Sequence, residues 1–262
     1  MISRSGRPLV IGNWKMNHDH VAAVHLIQQL GVLLRATPAE HTDVVVAPPF
    51  VDLRSVVSVV ESERIPLAVG AQHVNAHDHG AHTGEVSVGM LSRLGVTSVI
   101  VGHSERRQNY AMSDDIVAAT VRAVLAGGLR AVLCVGEDLT VRDEGRQDEF
   151  VRAQLDSALG GLEPTALEAV TVAYEPIWAI GTGVSATIEQ VRATTSYLRA
   201  TLSARGASDL RVLYGGSVNA ENASELVTGG GVDGFLVGGA SLTADSFLAI
   251  VHACNDCYAK QR

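Results

Sequence analysis

Eight short apolar bursts recur along this chain: "PLVIGN", "DVVVAPP", "LAVGAQ", "SVIVGHSE", "AVLCVGE", "VTVAYEP", "RVLYGG" and "GFLVGG". Each is rich in valine and ends in glycine, proline or a polar group. A strand with one wet face alternates apolar and polar residues. Unbroken apolar runs are expected where both faces are buried, as in a parallel sheet covered by helices. Most of the intervals carry helical periodicity. Val21, Val24, Leu26, Ile27, Leu30, Leu33 and Leu34 follow the first burst at helical spacing. Ile116, Val117, Val121, Val124 and Leu125 follow the fourth, behind the N-cap signal "SDD". Eight strand-helix units in 262 residues, with no long linker, predict an α/β chain. The fold expected is a single (β/α)8 barrel domain over residues 1–262, eight parallel strands surrounded by helices. A doubly wound nucleotide-binding sheet is the rival, since "GGGVDG" at 229–234 matches the dinucleotide fingerprint by letter. That motif must follow a strand and open a helix, whereas here it precedes a strand.

Charge narrows the partners. A net charge of −8 argues against a broad nucleic-acid surface, which needs clustered positive charge. No stretch approaches the ~18 apolar residues of a membrane span, and the N-terminus has no long apolar region. A cytoplasmic protein without nucleic-acid or membrane partners is expected. Cys134, Cys254 and Cys257 are too few for a disulfide framework. "CNDC" at 254–257 has redox spacing but falls in the last helical pattern, where two small apolar residues on one helix face is the better reading. The "NAS" sequon at Asn222 is expected to stay unmodified without a signal peptide.

In a barrel of this kind, residues at the C-terminal ends of the strands share one mouth. Asn13 and Lys15 follow the first strand, His103 and Glu105 the fourth, and Glu175 the sixth. Gly215, Gly216 and Ser217 follow the seventh, Gly238 and Gly239 the eighth. Glycine-rich turns in those last two places suit phosphate, through backbone N–H groups. An anionic substrate is expected. Proton transfer beside a carbonyl needs a carboxylate base, a hydrogen-bond donor for the developing oxyanion and nearby positive charge. All three are present, and such chemistry requires no cofactor. There is no HExxH, calcium loop, P-loop or nucleophile elbow. Lys15 is one of only two lysines, beside 18 arginines.

These residues together resemble the triosephosphate isomerase family. "GNWKMN", "VGHSERR", "AYEPIWAIGTG", "YGGSVN" and "VGGASL" occur in that family's order and spacing over nearly the whole chain. The resemblance implies an aldose-ketose isomerase acting on dihydroxyacetone phosphate and D-glyceraldehyde 3-phosphate, working without a cofactor. It implies Glu175 as the base and His103 as a neutral electrophile, the pairing for which this family is itself the reference example. It further implies Lys15 and Asn13 near the substrate oxygens, Glu105 placing the lysine, and Gly181, Ser217, Gly238 and Gly239 at the phosphate. The segment from Pro176 through Ile177, Trp178, Ala179, Ile180, Thr182 and Gly183, about 176–186, resembles the family's lid, with Tyr214 helping to hold it shut.

Residues from Gln72 through Thr83, Gly84 and Glu85, about 72–85, resemble a loop that reaches into a partner subunit, so a homodimer is implied. His73, His82, Met112 and Val184 depart from the family's usual residues, which bears on dimer packing and lid motion. Histidines 73, 77, 79 and 82 raise a metal site as an alternative, though no metal is expected. Their partial protonation below neutrality is the expected consequence. Three other activities stay open at this point: a related isomerase of tetrulose phosphates, a Schiff-base aldolase using Lys15, and a non-catalytic phosphate binder.

Overall fold

The eight bursts form eight strands: β1 (Leu9–Asn13), β2 (Asp43–Ala47), β3 (Ala68–Ala71), β4 (Ser98–Val101), β5 (Arg130–Val135), β6 (Val170–Tyr174), β7 (Val212–Tyr214) and β8 (Gly234–Val237). The computed structural model describes residues 6–180 and 185–260. The strands pair in sequence order, every pair parallel, and β8 returns to β1 to close the barrel. Helices ring it, among them His20–Ala36, Asp114–Ala126, Gln147–Leu159, Ile188–Ser203 and Ala244–Ala259.

Two apolar cores share each strand, which is why the bursts do not alternate in polarity. Ile11, Val45, Ile100, Val132, Ala173, Leu213 and Leu236 fill the barrel. Their neighbours Val10, Val46, Val99, Leu133, Val172, Val212 and Phe235 pack outward against helix residues such as Ile27, Leu30, Val121, Leu155, Leu198 and Phe247. Burying such a side chain stabilises by roughly 1.5–3 kcal/mol.

The helix starts follow their caps. Asp19 accepts from the Ala22 N–H and Ser113 from the Ile116 N–H. Thr187 and Gln190 form a reciprocal capping box at the start of Ile188–Ser203. Periodicity reaches too far at two points, Val21 and Ile116, the latter 48% exposed. Val21 is 74% exposed, because the buried stripe of its helix runs through Ala23, Leu26, Ile27, Leu30 and Leu34.

"GGGVDG" does the reverse of a nucleotide fingerprint: Gly231 ends helix Ala223–Gly230 with φ of 70°, and Gly234 opens β8. Gly234 has φ of 132°, and a Cβ there would lie 2.0 Å from the Leu9 carbonyl oxygen, so only glycine fits. Cys254 and Cys257 are buried in the last helix, and burial pushes the Cys254 thiol up, away from reactivity. Among the described residues, no helix is long and apolar enough to cross a membrane.

Pairing around the ring is uneven. β1 and β2 share five register pairs, whereas β7 and β8 share one, Tyr214 with Phe235, below which the Asp233 N–H donates to the Val212 carbonyl at 2.8 Å. Beyond that point the two chains part into the glycine-rich turns at 215–217 and 238–239.

Candidate active site

Strand parity brings the polar groups to the mouth. Asn13 lies two residues beyond Ile11 and Glu175 two beyond Ala173, so both continue the inward-facing rows past the apolar filling. Asn13, His103 and Glu175 are all buried. Gly102, with φ of 73°, turns the chain out of β4 and sets His103 as N-cap of the helix Ser104–Asn109.

His103 is held in one tautomer. Its Nδ1 accepts from the Glu105 N–H at 3.2 Å, and a backbone N–H can only donate. The ring proton therefore sits on Nε2, and the imidazole is neutral. That Nε2 lies 3.0 Å from Oε1 of Glu175. Oε2 of Glu175 accepts from the Ser104 N–H at 2.9 Å, while Oε1 faces the His103 ring. One oxygen of a buried carboxylate thus sits against a neutral donor. Gly215 makes room for it, since a Cβ there would come within 2.9 Å of the Glu175 Cγ.

Lys15 is set by its backbone. Its φ of 52° costs a non-glycine residue about 1–2 kcal/mol. The strained turn is held from two sides. The Lys15 N–H donates to Oδ1 of Asn13 at 3.1 Å, and the Lys15 carbonyl accepts from Nε2 of Gln72 at 2.7 Å. The same Gln72 amide bonds the Ala47 carbonyl at 2.9 Å. Gln72, read from sequence as part of the dimer loop, is therefore a support for the lysine. The ammonium pairs with Oε1 of Glu105 at 2.6 Å and lies over Gly238.

One cavity of about 280 Å³ brings Asn13, Lys15, His103, Ser217, Gly238 and Gly239 together. It lies at the wedge between β7 and β8. In the turn Gly239–Ser241 the Ser241 N–H bonds the Gly238 carbonyl at 2.8 Å, while the N–H groups of Gly239 and Ala240 have no intrahelical carbonyl to reach and suit an anion. Of the expected phosphate contacts, Gly181 lies outside the described residues, as do Thr182, Gly183 and Val184.

The near half of the lid, Pro176 to Ile180, is described. Ile177–Ala179 forms a single turn whose first N–H bonds the Glu137 carbonyl at 3.0 Å. Sequence reasoning missed the partner that matters here. Glu137 is fully buried, and its Oε1 accepts from Trp178 Nε1 at 3.0 Å, from the Tyr174 hydroxyl at 3.0 Å and from Arg142 at 3.4 Å. Burial pushes its carboxyl up, and the bonds from Trp178, Tyr174 and Arg142 pull it back. The signal was an acid directly after an apolar burst, the rule that found Glu175. Beyond the lid, the Ala186 N–H bonds the Tyr214 phenol, whose pKa burial lifts to about 12.

Glu137→Ala would strand the Trp178 and Tyr174 donors. The expected loss is about 2–4 kcal/mol of stability, with a red-shifted Trp178 emission. Urea unfolding and fluorescence check both, and an unchanged midpoint would mean that Glu137 does not anchor the lid.

Thr83 and Gly84 are exposed at the tip of a closed loop, its base tied by the Asn75 N–H to the Val86 carbonyl and by Asn75 to Glu85 at 2.8 Å. His77 and His82 stack with ring centroids 4.4 Å apart. Among the described residues, no group of three or more His, Cys, Asp or Glu comes together that could hold a metal ion. Met112 is buried in the outer core.

The expectation that His73 charges just below neutrality is corrected. Burial, then the Arg106 charge, lowers its pKa to about 4, and Glu85 only partly opposes this. An unfolded histidine takes its proton near pH 6.5, so acid favours unfolding between about pH 6.5 and 4. His73 contributes its full stability above that window and loses it within. Replacing it with Asn should flatten the pH dependence there by about 1–3 kcal/mol, measured by urea unfolding at each pH; parallel curves for the two proteins would refute this.

A family model described as Triosephosphate isomerase matches residues 8–254. The chain is 47% identical over 248 residues to "Triosephosphate isomerase" of Rhodococcus jostii, covering 93% of this chain and 95% of that protein. The Nocardia farcinica protein of that name is 46% identical over 93% of this chain and 95% of its own length. The Cutibacterium acnes one is 44% identical over 94% and 98%.

Proposed function

This chain belongs to the triosephosphate isomerase family, and we propose how its barrel mouth divides the work of that reaction. The enzyme interconverts dihydroxyacetone phosphate and D-glyceraldehyde 3-phosphate. Glu175 takes a proton from C1 of the ketone, and the electron pair moves into an enediolate. The Nε2–H of His103 donates to the oxygen on C2 as charge develops there. The proton on the C1 oxygen passes to the C2 oxygen by way of His103, and Glu175 then returns its own proton to C2, leaving the aldehyde at C1 and the alcohol at C2. The electrons never leave the substrate, so no cofactor is needed. Substrate binding must draw Glu175 away from the Ser104 N–H and His103, freeing the donor for the carbonyl.

Lys15 supplies localised positive charge, Asn13 orients substrate oxygens, and Glu105 places the ammonium. Gly181, Ser217, Gly238 and Gly239 receive the phosphate, and Pro176 to Gly183 close over it to exclude water. The observation that carries this reading is the buried Oε1 of Glu175 lying 3.0 Å from a histidine nitrogen that must carry a proton. A cofactor-free assay comparing triose and tetrulose phosphates tests it; preference for the four-carbon sugar would overturn the substrate assignment.

The enzyme works as a homodimer joined through the loop at 72–85. In support, Met16, Val51 and Tyr110 are 94%, 83% and 66% exposed on the turns after β1, β2 and β4, all at the mouth end. Large apolar side chains gathered on one end of a barrel mark a surface to be covered. Val51→Glu should yield a monomer of weakened activity in sedimentation; a fully active dimer would defeat the assignment. An acidic chain with three unpaired cysteines suits a reducing compartment, and the cytoplasm is the place proposed for it.

A further inference from the structure

The N-terminal end of the barrel, opposite the mouth, ordinarily serves stability alone. Here it opens into a cavity of about 570 Å³, against about 280 Å³ at the mouth. Its floor is the lowest inward row, Leu9, Val45 and Val132, with Thr171. Its charged rim consists of Arg7, Arg130, Arg211 and Asp43, three positive groups against one negative. The imbalance stands out in a chain whose net charge is −8.

A purely structural network would match its charges. Asp43 is fully used: Oδ1 pairs with Arg7 Nε at 3.1 Å and Oδ2 with Arg211 Nη2 at 2.9 Å. Arg130, at the first position of β5, has no carboxylate within 4.0 Å among the described residues; its guanidinium donates one bond, to the Glu168 carbonyl at 3.0 Å. Arg130 is exposed at the rim, yet partial desolvation and then the charge of Arg211 lower its pKa, which Asp43 only partly relieves. Thr42, which lines the same cavity, is 3% exposed and its hydroxyl oxygen has no partner. Three neighbouring guanidiniums, a buried hydroxyl without a bond and an apolar floor together describe a site suited to an anion.

We propose that this end of the barrel is a second anion site, separate from the mouth, which binds a small organic phosphate through Arg130 with Arg7 and Arg211 flanking. Two or three guanidiniums match a dianionic phosphoryl group, and the floor of Leu9, Val45 and Val132 takes a compact, less polar body. The occupant would touch no residue of the mouth, so it would stabilise the fold without altering the chemistry.

Inorganic pyrophosphate is the probe. Calorimetric titration of the intact enzyme at low salt should resolve two sites per chain, one of which also inhibits isomerisation competitively. Arg130→Gln should lose the non-inhibitory site, weakening it at least tenfold, while turnover and the competitive inhibition constant stay unchanged. That unchanged turnover shows the variant to be folded and separates this site from the mouth. Arg130→Lys should recover part of the binding. A single site in the wild-type enzyme, or two sites undiminished in Arg130→Gln, would overturn the proposal.

Discussion

Glu175→Gln is expected to lower kcat by about 10³–10⁴-fold, the contribution of a well-placed general base. The fold should survive, because the amide has nearly the same shape and keeps an acceptor for the Ser104 N–H, the bond that Oε2 now makes at 2.9 Å. Binding should change little, since Glu175 acts on the proton and not on the phosphate. Glu175→Asp separates charge from reach. It retains the base but withdraws it by one methylene, and a displacement of about 1 Å is worth about 100-fold in rate. Steady-state kinetics on both variants, alongside thermal unfolding, give the measurement. A Glu175→Gln enzyme with near-normal kcat would remove Glu175 from the mechanism.

Lys15→Arg is the second large effect, with an expected fall in kcat/KM of about 10²–10³-fold despite the conserved charge. The ammonium is placed by Glu105 at 2.6 Å and lies over Gly238. A planar fork on a different stem cannot place its charge at the same point. The arginine would keep an ion pair with Glu105 and miss the substrate oxygens. Circular dichroism should be unchanged, so the loss belongs to catalysis and not to folding. Borohydride treatment with substrate should leave wild-type Lys15 unmodified; a covalent adduct would point to Schiff-base chemistry in its place.

What the sequence made legible followed from local physics. All eight strands lie where unbroken apolar runs place them, and Ser113 caps its helix as "SDD" suggests. Asn13 and Glu175 were visible because they directly follow such runs. Val21 was misread because spacing alone cannot tell which edge of an apolar stripe faces water. Glu137 satisfied the same rule as Glu175, yet its role depends on Tyr174, Trp178 and Arg142 converging on one oxygen. Gln72 was assigned to a loop because its adjacency to Lys15 crosses from one strand end to another. His73 was expected to charge easily, but burial and Arg106 are properties of the folded surroundings.

A barrel is a hoop of staves, and its first leak opens where two staves are least fastened. That joint is β7 against β8, with its one register pair between Tyr214 and Phe235. Amide hydrogens of these strands should exchange with solvent ahead of those in β1 and β2, whose joint has five. The turns leaving the weak joint are the ones proposed to cradle the phosphate, so a substrate bound there would act as a clasp across it. Substrate-like anions should then slow exchange on both sides of the joint more than elsewhere in the hoop, tying the lifetime of the closed barrel to the supply of its own substrate.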